Sequence, residues 1–162
     1  MSTNISSDPA LSIRAAKPED AGSILDCVTA AYEHYIPLIG KPPGPMLDDY
    51  GANIANYDVY VAESDSRLAG ILVLIRQADR LLLDNVAVGP GFQGQGIGKR
   101  LMAFAEDCGL NWGFHTIELY THEVMQENVV IYKKLGYQES ERKTVNGYDR
   151  IYMRKSLKKG LN

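Results

Sequence analysis

The sequence is poor in the residues and segments that would assign it to a class at once. Its 162 residues include two cysteines, one tryptophan and three phenylalanines. Cys27 and Cys108 lie in helix-like stretches without metal-ligand spacing or an evident disulfide partner, so we interpret both as core residues. No run of about 18 apolar residues occurs, and no basic segment followed by an apolar run opens the chain. We therefore expect a soluble, cytoplasmic protein with no membrane partner.

Positive charge is not in excess either. The 17 Lys and Arg residues face 20 Asp and Glu residues, which gives a formal net charge of -3 at pH 7. A protein that binds the phosphate backbone usually carries a basic surface, so we expect no nucleic-acid partner. The proportions of hydrophobic residues, 45%, and charged residues, 23%, are typical of a single globular domain. We place this domain at residues 11–157, between a flexible N-terminal tail, 1–10, and a C-terminal tail, 158–162.

Glycine, in contrast, is concentrated in the stretch GPGFQGQGIGKRLM, residues 89–102. A glycine-rich turn that opens a helix can bind an anion, because several N–H groups and the helix dipole point at one place. The P-loop spacing from Gly91 to Gly96 is followed by isoleucine and glycine rather than by lysine and serine or threonine. The dinucleotide fingerprint fails as well, since Lys99 stands at its last glycine position counted from Gly94. The turn is therefore either a different anion site or an ordinary flexible loop.

Hydrophobic periodicity predicts strands and helices that alternate around one central sheet. An apolar face that includes Leu25 predicts the first helix, and Leu47 begins the helical spacing of the second. Four prolines and two glycines in residues 36–45 predict a loop between them. Asn146 and Gly147 form the pair preferred in a two-residue hairpin turn. The predicted strands are 11–16, 58–64, 67–77, 80–88, 116–121, 137–145 and 148–157, and the predicted helices are 18–35, 46–57, 97–108 and 126–136.

Two motifs in this order resemble the GNAT superfamily of acyl-CoA N-acyltransferases. In LLLDNVAVGPGFQGQGIGKRLM, Gln93-x-x-Gly96-x-Gly98 fits the family's Gln/Arg-x-x-Gly-x-Gly/Ala signature between a strand and a helix. Downstream, ENVVIYKKLGYQES fits its Asn-x-x-x-Tyr-x-x-x-Gly-Phe/Tyr segment. The order of elements agrees over nearly the whole chain. The resemblance implies an α/β fold with a central mixed, mostly antiparallel sheet flanked by helices, and a splayed pair of strands at the acyl-CoA site.

The same resemblance implies acetyl-CoA as the cofactor. The glycine turn would bind the coenzyme A pyrophosphate through bare backbone, because a Cβ would obstruct the phosphates and restrict the turn. The strand before it would pair its main chain with the pantetheine arm, and an N–H near Val88 would polarise the thioester carbonyl. Ordinary strand packing of the valines is compatible with this role. The cofactor-binding candidates are Val86, Ala87, Val88, Gln93, Gly94, Gln95, Gly96, Ile97, Gly98, Lys99, Asn128 and Tyr132.

Tyr132 and Asp84 are the catalytic candidates. Tyr132 matches the family tyrosine that protonates the departing thiolate, and a phenol with a pKa of about 10 keeps its proton at neutral pH. Its alternative role is that of a helix tyrosine packed in the core. The base that accepts the amine proton is open. Asp84 lies on the acyl-carrying strand, where it can equally be solvated or salt-bridged, and His122 and Glu123 follow the next strand.

The acceptor would bind between the first two helices, their loop and the last hairpin, where family members differ most. Phenols suit a pocket that holds a polar amine beside an apolar acyl chain, although most of the ten tyrosines can serve packing alone. The substrate-binding candidates are Tyr32, Tyr35, Tyr50, His122 and Glu123. Gln126 stands where the zinc-protease pattern begun by His122 and Glu123 needs its second histidine, so we expect no metal.

The sequence thus predicts an N-acetyltransferase that moves an acetyl group from acetyl-CoA to a primary amine by direct attack in a ternary complex. The acceptor is either a small molecule or a peptide amine, and the family resemblance leaves a homodimer open. Two alternatives remain. A non-catalytic acyl-CoA sensor would bind the cofactor without transfer, and a nucleotide-phosphate transferase would bind ATP, although the turn lacks a P-loop lysine.

Overall fold

The structure, a computed structural model, describes residues 11–158, which form one seven-stranded sheet with helices on both faces. Short 3-10 turns lie between several of these elements. The strands are β1 (Leu11–Ala15), β2 (Asp58–Ser64), β3 (Arg67–Arg76), β4 (Leu81–Val88), β5 (Thr116–His122), β6 (Gln138–Val145) and β7 (Tyr148–Ser156). The helices are α1 (Ala21–Tyr32), α2 (Ile36–Ile39), α3 (Tyr50–Asn56), α4 (Ile97–Asn111) and α5 (Gln126–Lys134).

The strand order in the sheet is β1-β2-β3-β4-β5-β7-β6. Neighbouring strands are antiparallel except for β4 and β5, which are parallel because α4 crosses back over the sheet between them. The β6–β7 turn has positive φ at both Asn146 and Gly147, as a two-residue hairpin requires. The predicted mixed, mostly antiparallel sheet is confirmed, and its parallel pair lies in the interior of the sheet.

Two apolar layers hold the helices against opposite faces of the sheet. On one face Ile24 and Val28 of α1 are fully buried, and on the other Leu101 of α4 is fully buried. Each such side chain contributes about 1.5–3 kcal/mol relative to an exposed position. Cys27 and Cys108 are both free and buried, one in each layer, which confirms their interpretation as core residues.

The segment between the first two predicted helices is not wholly a loop, as we had expected. Residues 36–39 form the single turn α2. Proline is tolerated in it because Pro37 lies in the first turn, where its missing N–H removes no helical hydrogen bond. Gly40 ends the turn with a φ of 87°, a conformation that suits glycine.

The second predicted helix begins too early. Helix α3 begins at Tyr50, because the Asp49 side chain accepts a hydrogen bond from the Ala52 N–H at 3.0 Å and caps it there. Leu47 precedes this cap and is 66% exposed. Leu25 of α1 is also exposed, and Ile24 takes the inward position. Neither leucine therefore belongs to the apolar face that its spacing predicted.

The predicted N-terminal tail and residues 159–162 of the predicted C-terminal tail lie outside the described residues, so the domain limits stay predictions. In the described range, no helix is long and apolar enough to cross a membrane.

Candidate active site

The two parallel strands separate part of the way along the sheet. Pairing joins Leu81–Leu83 of β4 to Ile117–Leu119 of β5 and then stops, although both strands continue. A β-bulge accompanies the separation, since pairing with β3 skips Asp84. A bulge bends its strand and increases the local twist. The predicted splayed pair is thus present, and among the described residues no strand pairs with the β5-facing edge of residues 84–88.

A cavity of about 100 Å³ lies where the strands separate. Its walls come from α1, the segment between α2 and α3, both separating strands, α5 and β7. The lining residues are Tyr32, Ile39, Pro43, Gly44, Pro45, Asp48, Leu83, Asp84, Asn85, Val86, Leu119, Tyr120, Thr121, His122, Met125, Asn128, Tyr132, Tyr148 and Arg150. Carboxylates, phenols, an imidazole and a guanidinium group therefore surround one space.

Asp84 is held by a hydrogen bond that bridges the separating strands. The Tyr120 hydroxyl of β5 donates to Asp84 Oδ1 at 2.8 Å. The guanidinium of Arg150 lies 3.9 Å from the centroid of the Tyr120 ring. Burial raises the pKa of Asp84, while the Tyr120 hydrogen bond and the Arg150 charge act in the opposite direction. An oriented carboxylate with a raised pKa is suited to accept a proton.

Tyr132 and Asn128 extend from α5 towards the same cavity, one helical turn apart. Burial raises the pKa of Tyr132 to about 12, so its phenol carries a proton throughout the neutral range. Asn128 Nδ2 lies 3.4 Å from Thr121 Oγ1 and 3.6 Å from Met125 Sδ, two long contacts that leave the amide oxygen for a ligand.

A series of hydrogen bonds fixes the wall formed by α1 and α3. The Tyr32 hydroxyl lies 2.9 Å from Asn85 Oδ1 and 3.1 Å from the Val86 carbonyl oxygen. Asn85 Nδ2 donates to the Tyr50 hydroxyl at 3.1 Å, and that hydroxyl donates to the Pro45 carbonyl at 2.6 Å. Asn85 is a buried polar residue, so these partners satisfy groups that water does not reach.

The glycine turn follows β4 and leads into α4. Gly94 and Gly96 have φ values of 81° and 78°, in the left-handed region that favours glycine. Gly96 is the N-cap of α4, and it caps the helix without a side-chain hydrogen bond. A Cβ on Gly94 or Gly96 would meet no heavy atom within 4 Å in the described structure, so the space beside the turn is open. The first N–H groups of α4 are therefore available to an anion.

The structure brings the two catalytic candidates together, since Tyr132 and Asp84 line the same cavity. Val86 and Asn128 from the cofactor-binding set line it as well. The other members of that set lie at the end of β4, in the glycine turn or at the start of α4, outside the cavity: Ala87, Val88, Gln93, Gly94, Gln95, Gly96, Ile97, Gly98 and Lys99.

The substrate-binding candidates divide into two groups. Tyr32 and His122 line the cavity, and Tyr35, Tyr50 and Glu123 do not. The hydroxyl of Tyr35 donates instead to the carboxylate of Glu127 on α5. Tyr50 acts on the cavity wall through Asn85 and Pro45, and Glu123 is exposed beyond the end of β5.

His122 presents one ring nitrogen to the cavity region. Its Nδ1 accepts a hydrogen bond from the Val124 N–H at 3.1 Å, which leaves Nε2 for a ligand. Burial lowers the pKa of His122, so the imidazole is neutral at pH 7.

Sequence reasoning missed Asn85, Tyr120, Thr121 and Arg150. Period-two alternation places Tyr120 on the same strand face as His122. The choice of His122 as a candidate could therefore have indicated Tyr120 as well. Arg150 enters the site because it pairs with His122 across β5 and β7, and no local pattern reveals this register.

Comparisons with known proteins agree with this geometry. A family model described as an acetyltransferase (GNAT) domain matches residues 55–139, which is more than half of the chain. The uncharacterized N-acetyltransferase YvbK of Bacillus subtilis is 28% identical over 101 residues, and the match covers 62% of this chain and 63% of that protein. The chain thus spans less than two thirds of the length of this relative.

Two solved structures are similar over nearly their whole length. The ribosomal-protein-S18-alanine N-acetyltransferase of Escherichia coli has a TM-score of 0.75 at 18% identity, with 93% of this chain and 96% of that chain covered. The PaiA N-acetyltransferase of Thermoplasma acidophilum, in complex with coenzyme A, has a TM-score of 0.75 at 20% identity, with 91% and 99% covered. At these identities the likeness shows the fold alone. With the family model matching residues 55–139, the chain belongs to the GNAT acetyltransferase family.

Proposed function

We propose that this protein is an N-acetyltransferase that transfers the acetyl group of acetyl-CoA to a primary amine by direct attack in a ternary complex. The separation of β4 from β5 beyond Leu83 and Leu119 carries this proposal. It leaves the β5-facing edge of residues 84–88 unpaired, and this edge leads along β4 from the cavity with Asp84 and Tyr132 to the glycine turn. Membership of the GNAT family supplies the reaction class, and we assign the activity to the domain at residues 11–157.

The residues beside this edge fit coenzyme A. Gly94 and Gly96 leave room for a pyrophosphate next to the N-terminus of α4, where no side chain accepts a capping hydrogen bond, and Lys99 adds an exposed positive charge in the first turn. The edge of Val86–Val88 that β5 leaves unpaired would accept an extended ligand as an added strand. Acetyl-CoA, as the second substrate, supplies the acetyl group as a thioester.

Tyr132 is our candidate for the acid. As the new C–N bond forms and the C–S bond breaks, its phenol gives a proton to the leaving sulfur. Burial raises the pKa of Tyr132 to about 12, so the phenol keeps its proton until negative charge develops on the departing sulfur.

Asp84 is our candidate for the base, which takes the proton that the amine loses. It lines the cavity, and Tyr120 fixes the orientation of its carboxylate. His122 is the second candidate, since its neutral imidazole has Nε2 available. Glu123 has the least support, because it is exposed and outside the cavity.

The test is acetyl-CoA-dependent thiol release across a panel of small primary amines and peptide N-termini. We expect turnover with one class of amine, and a decrease in kcat of about 10²–10⁴-fold in Tyr132→Phe, the usual contribution of general acid–base catalysis. Coenzyme A affinity, measured by calorimetry, is expected to change little in this variant. Tyr57→Phe is the matched control, because Tyr57 is 43% exposed and does not line the cavity.

The same assays distinguish the alternatives. Tight binding of acetyl-CoA with no release above the amine-free background would favour the sensor. Binding of ATP in place of coenzyme A would favour the nucleotide-phosphate transferase. Full activity of Tyr132→Phe would show that another group protonates the thiolate. A comparison of Asp84→Asn with His122→Gln identifies the base.

A further inference from the structure

The cavity contains a guanidinium group that forms no salt bridge within residues 11–158. Arg150 of β7 is half-buried, and among residues 11–158 no carboxylate oxygen lies within 4.0 Å of its nitrogens. Most other arginines have such a partner, namely Arg14, Arg76, Arg80, Arg142 and Arg154. Arg67 and Arg100 are exposed, so water solvates their charge. A half-buried arginine without a carboxylate is thus particular to the cavity.

Most N–H donors of the Arg150 side chain have no acceptor among residues 11–158. A guanidinium carries five N–H donors in a planar fork. One of them, on Nη1, is donated to the Tyr152 hydroxyl at 3.0 Å, and the group lies against the Tyr120 ring. A partly desolvated charge is stabilised by an opposite charge with matching geometry, and the fork matches a carboxylate. A carboxylate on a ligand in the cavity would supply this missing partner.

Two protein carboxylates stand close to Arg150 without touching it. Burial raises the pKa of both Asp48 and Asp84, and the positive charge of Arg150 acts on each in the opposite direction. The cavity therefore combines a negative side, formed by these two aspartates, with a positive side at Arg150. This pattern is complementary to a molecule that carries an ammonium and a carboxylate group.

Contacts between two segments beside the cavity favour a small molecule over a polypeptide. Lys41 Nζ donates to the Gly147 carbonyl at 2.9 Å, and the Tyr148 hydroxyl donates to the Pro42 carbonyl at 2.6 Å. Lys41 Nζ also lies 4.1 Å from the centroid of the Tyr148 ring. These contacts join the segment between α2 and α3 to the β6–β7 turn. An extended peptide passing between them would have to break both hydrogen bonds.

We propose that the acceptor is a small molecule that carries both a primary amine and a carboxylate, as an amino acid does. Arg150 binds the carboxylate and determines specificity, while the amine lies towards Asp84. The inference rests on the proposed function for the transfer step, in which the amine nitrogen gains the acetyl group and loses a proton to the base. The binding preference itself can be measured without turnover.

The experiment compares amino acids with the amines left when their carboxylate is removed. The pairs are L-alanine and ethylamine, L-leucine and isopentylamine, L-phenylalanine and phenethylamine, and 4-aminobutyrate and propylamine. Calorimetry in the presence of coenzyme A gives the affinity of each compound, and thiol release from acetyl-CoA gives kcat and KM. The proteins are the wild type, Arg150→Gln, Arg150→Lys and the control Arg142→Gln, whose site on β6 is exposed.

We expect at least one amino acid to bind tenfold or more tightly than its paired amine, the range of a hydrogen bond to a charged group. Arg150→Gln should remove this preference, mainly through KM, and leave the affinity for coenzyme A unchanged. Arg150→Lys should retain part of it, because it keeps the charge and loses the fork. Arg142→Gln should behave as the wild type, and thermal denaturation verifies that each variant is folded.

Equal or tighter binding of the amines in every pair, or no binding of any amino acid at millimolar concentration, would overturn the inference. So would a preference that Arg150→Gln leaves intact. Turnover of a peptide N-terminus or of an amine without a carboxylate in those cases would still support the proposed acetyltransferase activity. Preferential binding of an amino acid without acetyl transfer would support the carboxylate-binding role of Arg150 and contradict the proposed function.

Discussion

Replacing Gly70 by alanine tests how closely α4 packs on the sheet. A Cβ at Gly70 of β3 would lie 2.9 Å from the Ala87 carbonyl oxygen and 3.0 Å from Leu101 Cδ1. The leucine methyl group can rotate away, but the carbonyl oxygen moves only with the backbone of β4. Overpacking of this kind costs about 1–3 kcal/mol. We expect the free energy of unfolding of Gly70→Ala to fall by that amount.

Urea denaturation followed by circular dichroism measures this loss, with Gly22→Ala as the matched control. A Cβ at Gly22 of α1 meets nothing within 4 Å in the described structure, so alanine there adds helix propensity and raises stability by up to about 1 kcal/mol. Because Ala87 lies on the strand that we assign to coenzyme A, Gly70→Ala should also weaken coenzyme A binding. A Gly70→Ala protein as stable as the wild type would refute the close contact between β3, β4 and α4.

Four further perturbations have defined outcomes. Glu118→Gln should lower the free energy of unfolding by about 1.5–3 kcal/mol in urea titrations, because the buried Glu118 carboxylate loses its charged hydrogen bonds from the partly exposed Arg80 and Arg154. Gly96→Ala should weaken coenzyme A binding in calorimetry, since alanine at a φ of 78° costs about 1–2 kcal/mol. The transfer rate should rise with pH as Asp84 loses its proton, at a pH above the usual range of aspartate, and Asp84→Asn should lack this rise. Burial raises the pKa of Asp48 from 3.8 to about 6, so the folded state holds a proton that the unfolded state has lost. The contribution of Asp48 to the free energy of unfolding should therefore fall as the pH rises from about 3.8 to about 6, and the decrease should be smaller in Asp48→Asn.

The parts of the site that short-range geometry dictates are predictable from the sequence. Gly94 and Gly96 adopt the left-handed conformation that a glycine-rich turn suggests, and the turn opens a helix in the expected place. Asn128 and Tyr132 share a helix face because of the helical period alone. A few consecutive residues are enough to specify each of these features.

The rest of the site depends on contacts between distant segments. Arg150 reaches the cavity through the register of β7 on β5, and Asp84 faces it at a bulge whose position the pattern of apolar residues does not reveal. Leu47 shows the same limit in the opposite sense, since its spacing is helical but the Asp49 cap begins the helix after it. Tertiary pairing and capping thus decide what periodicity leaves open.

Side chains fix the opening between β4 and β5 at both of its ends. At the paired end, Glu118 of β5 is 3% exposed and accepts hydrogen bonds from Arg80 at 2.9 Å and Arg154 at 2.7 Å. Two residues further along β5, Tyr120 reaches across the gap to Asp84. The strands can neither pair further without displacing Tyr120 nor separate earlier without exposing the buried Glu118 carboxylate. The opening is therefore preorganised by the protein, and a ligand that fills it does not have to supply the free energy of separating the strands.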